Sequence, residues 1–194
     1  MINDFGRLYE FVYRGQLAEI ALDRELRPLV GTPNGDHPDV SAALSLEVFD
    51  PEYLEPAEQM AVVYTAIAAF ENSVRTFVTK ALLDAVGDEW WTKCVSEKIR
   101  KFAESRQADE QKTRWHGARG TALLSYTELG QLIDIMQQNW SIFEPMVLRI
   151  DWARALFAGI ERSRNVIMHS GVLDIQDIER VGMYIRDWTK QVGL

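Results

Sequence analysis

Apolar residues recur along the middle of the chain in alternating steps of three and four: Met60, Val63, Ile67, Phe70, Val74 and Phe77. That spacing keeps returning to one face of an α-helix and makes a continuous seam. It predicts a long helix over 56–86, with Pro56 at the first position, where a missing N–H costs nothing. Gly87 is placed to end it. A second stripe, Ala153, Leu156, Phe157, Ile160, Ile167 and Met168, shares one broad face at about 100° per residue. It predicts a helix capped by Asp151 and terminated by Gly171.

Shorter segments fill the rest. Asp88 can cap a helix over 88–115, and Gly117 and Gly120 then break the chain. Thr127 can cap a short helix with Leu129, Leu132, Ile133 and Met136 inward, ended by Asn139-Trp140-Ser141-Ile142-Phe143. Asp174 can cap the last helix, with Ile175, Ile178, Ile185 and Trp188 as its stripe. Near the start, 4–29 reads as a helix and 31–39, with His37, as a loop. Leu44, Leu46 and Val48 alternate, which allows a short strand, but no partner strand is evident. The fold class is all-α: an N-terminal helix and loop extension over 1–55, then a helical domain over 56–194.

Composition adds bounds. The chain has 194 residues, and six Trp with eight Phe can supply a sizeable core. No apolar run is long enough to span a bilayer. Asn3, Asp4, Arg7 and Glu10 interrupt any signal-peptide pattern. Cys94, the single cysteine, excludes an intrachain disulfide and fits a reducing cytoplasm. Beside Trp90 and Trp91 it reads as a small buried residue. With no metal-spaced Cys/His set and no phosphate loop, no cofactor or metal is expected. The net charge of −8 argues against a general nucleic-acid binder, but leaves room for a local basic cleft. The most basic part holds Lys93, Lys98, Arg100, Lys101, Arg106, Lys112, Arg114 and Arg119. Interspersed Glu97, Glu104, Asp109 and Glu110 make a solvated helix face its first reading.

Candidate chemistry concentrates in Glu161–Gly171. Arg164 offers a planar fork of donors suited to phosphate, and His169 a proton carrier near neutral pH. The spacing alone equally suits a helix-terminal histidine interacting with the last carbonyls. Arg164 falls inside the apolar stripe, and arginine is seldom buried there without a partner. The phase predicts Arg164 at least half-buried, with Glu71 as its carboxylate; an ordinary surface pair of Glu71 with Arg75 is the alternative. His169 lies on nearly the opposite face, with Arg162 two turns and Asn165 one turn earlier. Ala155, Ala158 and Gly159 surround that face and permit close approach of another helix, so a contact between subunits is expected there. Phase makes Arg162 the cation nearer His169.

The segment Phe70-Glu71-Asn72-Ser73-Val74-Arg75, the run from Tyr126 to Phe143, and the end Arg164-Asn165-Val166-Ile167-Met168-His169 together resemble the HEPN superfamily over about 56–190. The branch resembled includes the HEPN domain of a nuclear RNA quality-control endoribonuclease and of many bacterial defence proteins. The resemblance implies a HEPN-like helical bundle that forms a homodimer, with the Arg…His helices of two copies facing one cleft. It implies Arg164, Asn165 and His169 as the site and metal-independent cleavage of RNA as the activity, by a toxin or defence effector. The alternative it carries is a non-catalytic binding or dimerisation module, with a protein partner or inhibitor. Some HEPN toxins have a tyrosine two residues after the histidine, where a nucleotidyltransferase modifies them; this chain has Gly171 there.

Overall fold

The computed structural model describes residues 38–113 and 115–193, with backbone only at Pro38 and Asp39. The helix expected over 4–29 and most of the loop after it, His37 included, lie outside the described residues. The chain divides into two units, Met1–Phe49 and Asp50–Leu194. In the described part of the first, α1 spans Pro38–Ala43 and a 3-10 turn spans Leu46–Val48. The alternation at Leu44, Leu46 and Val48 is therefore not a strand. Ser45 turns the chain with a left-handed φ of 53°, and the Phe49 N–H closes back on the Leu46 carbonyl. No strand occurs among the described residues.

The second unit is built on α2, Pro51–Val86. Its first position is Pro51 rather than Pro56, with extended Asp50 as N-cap. Pro56 lies within the helix, where its ring withholds one N–H from the exposed Glu52 carbonyl, within reach of water. Met60, Val63, Ile67, Phe70, Val74 and Phe77 are all buried, and Val78 and Leu82 extend the seam. Gly87 ends the helix at φ 80°, its N–H donating to the Leu83 carbonyl.

The single helix expected over 88–115 is two: α3, Trp90–Cys94, and α4, Glu97–Gln111. Glu89, not Asp88, occupies the N-cap of α3. Between them β-branched Val95 is extended and buried, and Ser96 restarts the helix. A 3-10 turn, Leu123–Tyr126, leads to α5, Leu129–Gln138. Thr127 does not cap α5. It is buried, its hydroxyl donating to the Leu124 carbonyl at 2.7 Å, and Glu128 caps instead through a reciprocal box with Gln131. Leu129, Leu132, Ile133 and Met136 face inward as the pattern required.

The remaining helices are α6, Trp140–Val147; α7, Ile150–Met168; and α8, Ile175–Val192. Asn139 joins α5 to α6 and donates from Nδ2 to the Cys94 and Ile135 carbonyls, both at 2.8 Å. Cys94 is buried, and that burial pushes its thiol pKa up. Arg149 is the N-cap of α7, and Asp151 sits within the first turn, where its charge suits the helix dipole. Asp174 caps α8 by accepting from the Asp177 N–H at 2.8 Å. The α8 stripe is shifted inward along the helix: Ile175, in the first turn, is exposed, and Val181 and Trp188 are buried. Trp188 sits at the centre of the core, its ring 4.9 Å from Phe157 and 5.6 Å from Phe77. α5 packs on α7, and α7 on α8, all resting on the α2 seam.

Candidate functional site

α7 ends in a Schellman turn. The Ser170 N–H donates to the Ile167 carbonyl at 3.0 Å and the Gly171 N–H to the Val166 carbonyl at 2.8 Å. The residue in the left-handed region is Ser170, at φ 60°, not Gly171. Gly171 is required for another reason: a Cβ there would lie 2.7 Å from Val166 Cγ1 and 2.9 Å from the Val166 carbonyl oxygen. His169 is the C-cap, its N–H shared between the Asn165 and Val166 carbonyls at 3.2 Å. Its backbone is thus fixed, while its imidazole is exposed and has no hydrogen-bond partner among the described residues.

The two sides of this helix end differ. On one, Ala158, Glu161, Arg162, Asn165, Val166 and His169 line an open surface hollow of about 520 Å³. Gly159 does not belong to that surface. A Cβ on it would run into the Tyr184 ring edge, so the glycine admits α8 of the same chain rather than another subunit. Met168, at the tip of α7, projects beyond the core stripe and is exposed, whereas Ala153, Leu156, Phe157 and Ile160 are buried.

On the other side, Arg164 is 37% exposed and its Nε lies 3.2 Å from Glu71 Oε1. Glu71, 13% exposed, also takes Arg75 Nη2 on Oε2 at 3.3 Å. Glu71 therefore holds Arg164 and Arg75 at once, and its pair with Arg75 is largely buried rather than an ordinary surface pair. Arg75 is 18% exposed; its Nη2 also donates to the Thr127 carbonyl at 3.2 Å, and its buried Nε has no partner. These groups wall a polar cleft of about 590 Å³, together with Arg106, Arg119, Ser125, Glu128 and Glu161. Arg106 pairs with Glu128 at 2.7 Å, and Arg119 with Glu110 at 2.9 Å. Burial raises the Glu161 pKa above the usual carboxylate range, the Glu128 charge adds to this, and Arg164 opposes it.

Arg164 and His169 thus do not converge within one chain. Arg162 shares the open surface with His169, as helical phase required, and Asn165 and Glu161 line both that surface and the cleft. Arg106 and Arg119, which composition assigned to a solvated face, are brought into the cleft by the fold. A partial signal was present: Phe102 lies one turn before Arg106, and the guanidinium stacks 4.3 Å from that ring. Among the described residues no three His, Cys, Asp or Glu side chains are placed to hold a metal ion, and no helix is long and apolar enough to cross a membrane.

No curated protein and no solved structure matches the chain. A family model described as Swt1-like HEPN matches residues 65–193. The match takes in most of the α2 seam, every arginine of the cleft and the whole of α7. The helical bundle, with no strand among its described residues, agrees with it. The chain belongs to the Swt1-like HEPN family.

Proposed function

We propose that the chain is a metal-independent endoribonuclease that acts as a homodimer in the cytoplasm, as a toxin or defence effector. The observation that carries this is the split of one short segment: Arg164 is oriented into an arginine-lined cleft, and His169 is left free on the opposite face. Two copies paired through the surface bearing Ala158, Arg162 and His169 would bring two imidazoles and two Arg162 guanidiniums to one RNA strand, with an Arg164 cleft flanking it on either side. His169 takes the proton of a ribose 2′-hydroxyl, whose oxygen attacks the adjacent phosphorus. The bond from phosphorus to the 5′-oxygen breaks, and that oxygen receives a proton from the second copy's imidazole. Arg162 and Arg164 stabilise the charge that develops on the phosphate oxygens, and Asn165 orients the phosphate. The products are a 2′,3′-cyclic phosphate and a 5′-hydroxyl.

The test is RNA cleavage by the purified chain in excess chelator, with end-group analysis. Wild type is expected to cut and His169→Ala not to. Cutting that stops with chelator, or that survives His169→Ala, defeats the mechanism. Ala158→Glu should weaken the dimer and cutting together, because it places an unpaired charge in the contact.

One observation favours a second reading, a non-catalytic dimerisation module with a protein partner. All four cleft arginines are already paired with carboxylates on a chain of net charge −8. Wild type that cuts none of a varied set of RNAs, while remaining a dimer, decides for it.

A further inference from the structure

Trp115 is 86% exposed, more than any other large apolar side chain among the described residues. Trp188 is fully buried, and Trp90, Trp91, Trp140 and Trp152 pack against the core. Trp115 stands on the loop after α4 with its ring edge-on to His116, centroids 5.7 Å apart. His116 lines a hollow of about 400 Å³ with Arg106, Asp109, Glu110, Thr113, Gly117 and Arg119. Arg106 and Arg119 also line the larger cleft that reaches Arg164 and Asn165. Two guanidiniums therefore join the tryptophan loop to the end of α7.

Resting on the ribonuclease reading, we propose that this loop is a single-stranded RNA arm: Trp115 stacks on an unpaired base, and Arg106 and Arg119 take the flanking phosphates. Every base has a π-face, so an aromatic platform beside a cationic groove binds single strands with little sequence preference. A duplex withholds those faces. Arg119 is set for the role: its Nε and its backbone N–H both bond Glu110, at 2.9 and 3.1 Å, which orients the guanidinium. Its terminal Nη atoms have no partner among the described residues. The Arg106 partner Glu128 is half-exposed, so a phosphate can replace it. Asp109, Glu110, Glu128 and Glu161 keep the region from strong positive charge, so stacking carries an unusual share of the binding. The hollow beside His116 brings Arg106 and Arg119 to the same loop, the pairing of aromatic platform and cations that a single strand uses.

The experiment measures fluorescence anisotropy of a labelled mixed-sequence RNA, single-stranded and as duplex, against full-length chain carrying His169→Ala so that nothing is cut. Adding Trp115→Ala should weaken single-strand binding about tenfold, within the range for one lost base stack. Trp115→Phe should retain most of it. Arg119→Ala should weaken binding and lower the salt slope by about one. The duplex should bind more weakly and ignore Trp115. Equal affinity with and without Trp115, in a chain whose circular dichroism is unchanged, overturns the arm. If wild type meanwhile cuts RNA, the ribonuclease reading stands without it. If wild type neither binds nor cuts any RNA, both fall.

Discussion

On one side of α7, Arg164 is held by Glu71, Glu71 is shared with Arg75, and Arg75 is tied to the Thr127 carbonyl. On the other side, Arg162 and His169 stand in solvent with no side-chain partner among the described residues. A guanidinium fixed in this way has a defined direction but a compensated charge. An imidazole without a partner has no hydrogen bond to set its tautomer. One helix end thus separates orientation from reactivity, and under the proposed mechanism a second copy supplies the second imidazole that proton transfer needs.

The comparison can be broken at either side. The largest effect is expected at the free face: His169→Ala should lower RNA cutting by at least about 10²-fold, the low end for general acid–base catalysis, with no change in thermal midpoint. Substantial loss of stability in that variant would show that the imidazole is structural. At the held face, Glu71→Ala strands two guanidiniums, one of them mostly buried. It should cost about 2 kcal/mol in urea denaturation, less than a fully buried pair because Arg164 retains access to water. An unchanged midpoint would mean that the clamp orients without stabilising. Gly159→Ala tests the close approach of Tyr184 on α8. Overpacking against Tyr184 should outweigh the helix propensity of alanine and leave a net loss of about 1 kcal/mol. The loss should shrink in a Tyr184→Ala background, with dimerisation untouched.

The smallest effect concerns Glu161. Its folded pKa is raised, so between the unfolded and folded values the folded chain binds more protons than the unfolded one. Its contribution to stability therefore falls as pH rises through that window and is least at neutral pH. Glu161→Gln should gain less than about 1 kcal/mol at neutral pH, since partial exposure screens the charge. The gain should vanish once the pH is below the ordinary carboxylate range. A pH-independent gain would point to packing instead.

Periodicity carried much of the bundle because burial acts on whole faces: the six seam residues of α2 and the inward placement of Arg164 follow from phase, whereas its pairing with Glu71 was one of two open readings. Boundaries were less legible, since several residues compete for one cap. Pro51, Glu128 and Arg149 hold the positions expected for Pro56, Thr127 and Asp151, although residue type alone favours Thr127 and Asp151 as caps. The break at Val95 depends on tertiary burial of one side chain, which no local pattern records. The cleft was the least legible part. Arg75 comes from α2, Arg106 from α4, Arg119 from a loop and Arg164 from α7, and only packing reveals that they share a space. The opposition of Arg162 and His169 to Arg164 was visible in helical phase, whereas Gly159 was misassigned because a wheel does not say which neighbour fills the gap.

The turn after His169 also bears on how this chain can evolve. Some of the HEPN toxins that the sequence resembles have a modifiable tyrosine at the position occupied here by Gly171. Any side chain at Gly171 meets Val166 at both its Cγ1 and its carbonyl. A single substitution to tyrosine would therefore loosen the last turn of α7, and with it the backbone that holds His169. Gaining the modifiable residue requires a coupled change at Val166 and a relaxed turn, with an intermediate that has lost its ordered histidine. Under the ribonuclease reading, control by a tyrosine at this position would cost the chain the ordered turn that fixes the His169 backbone.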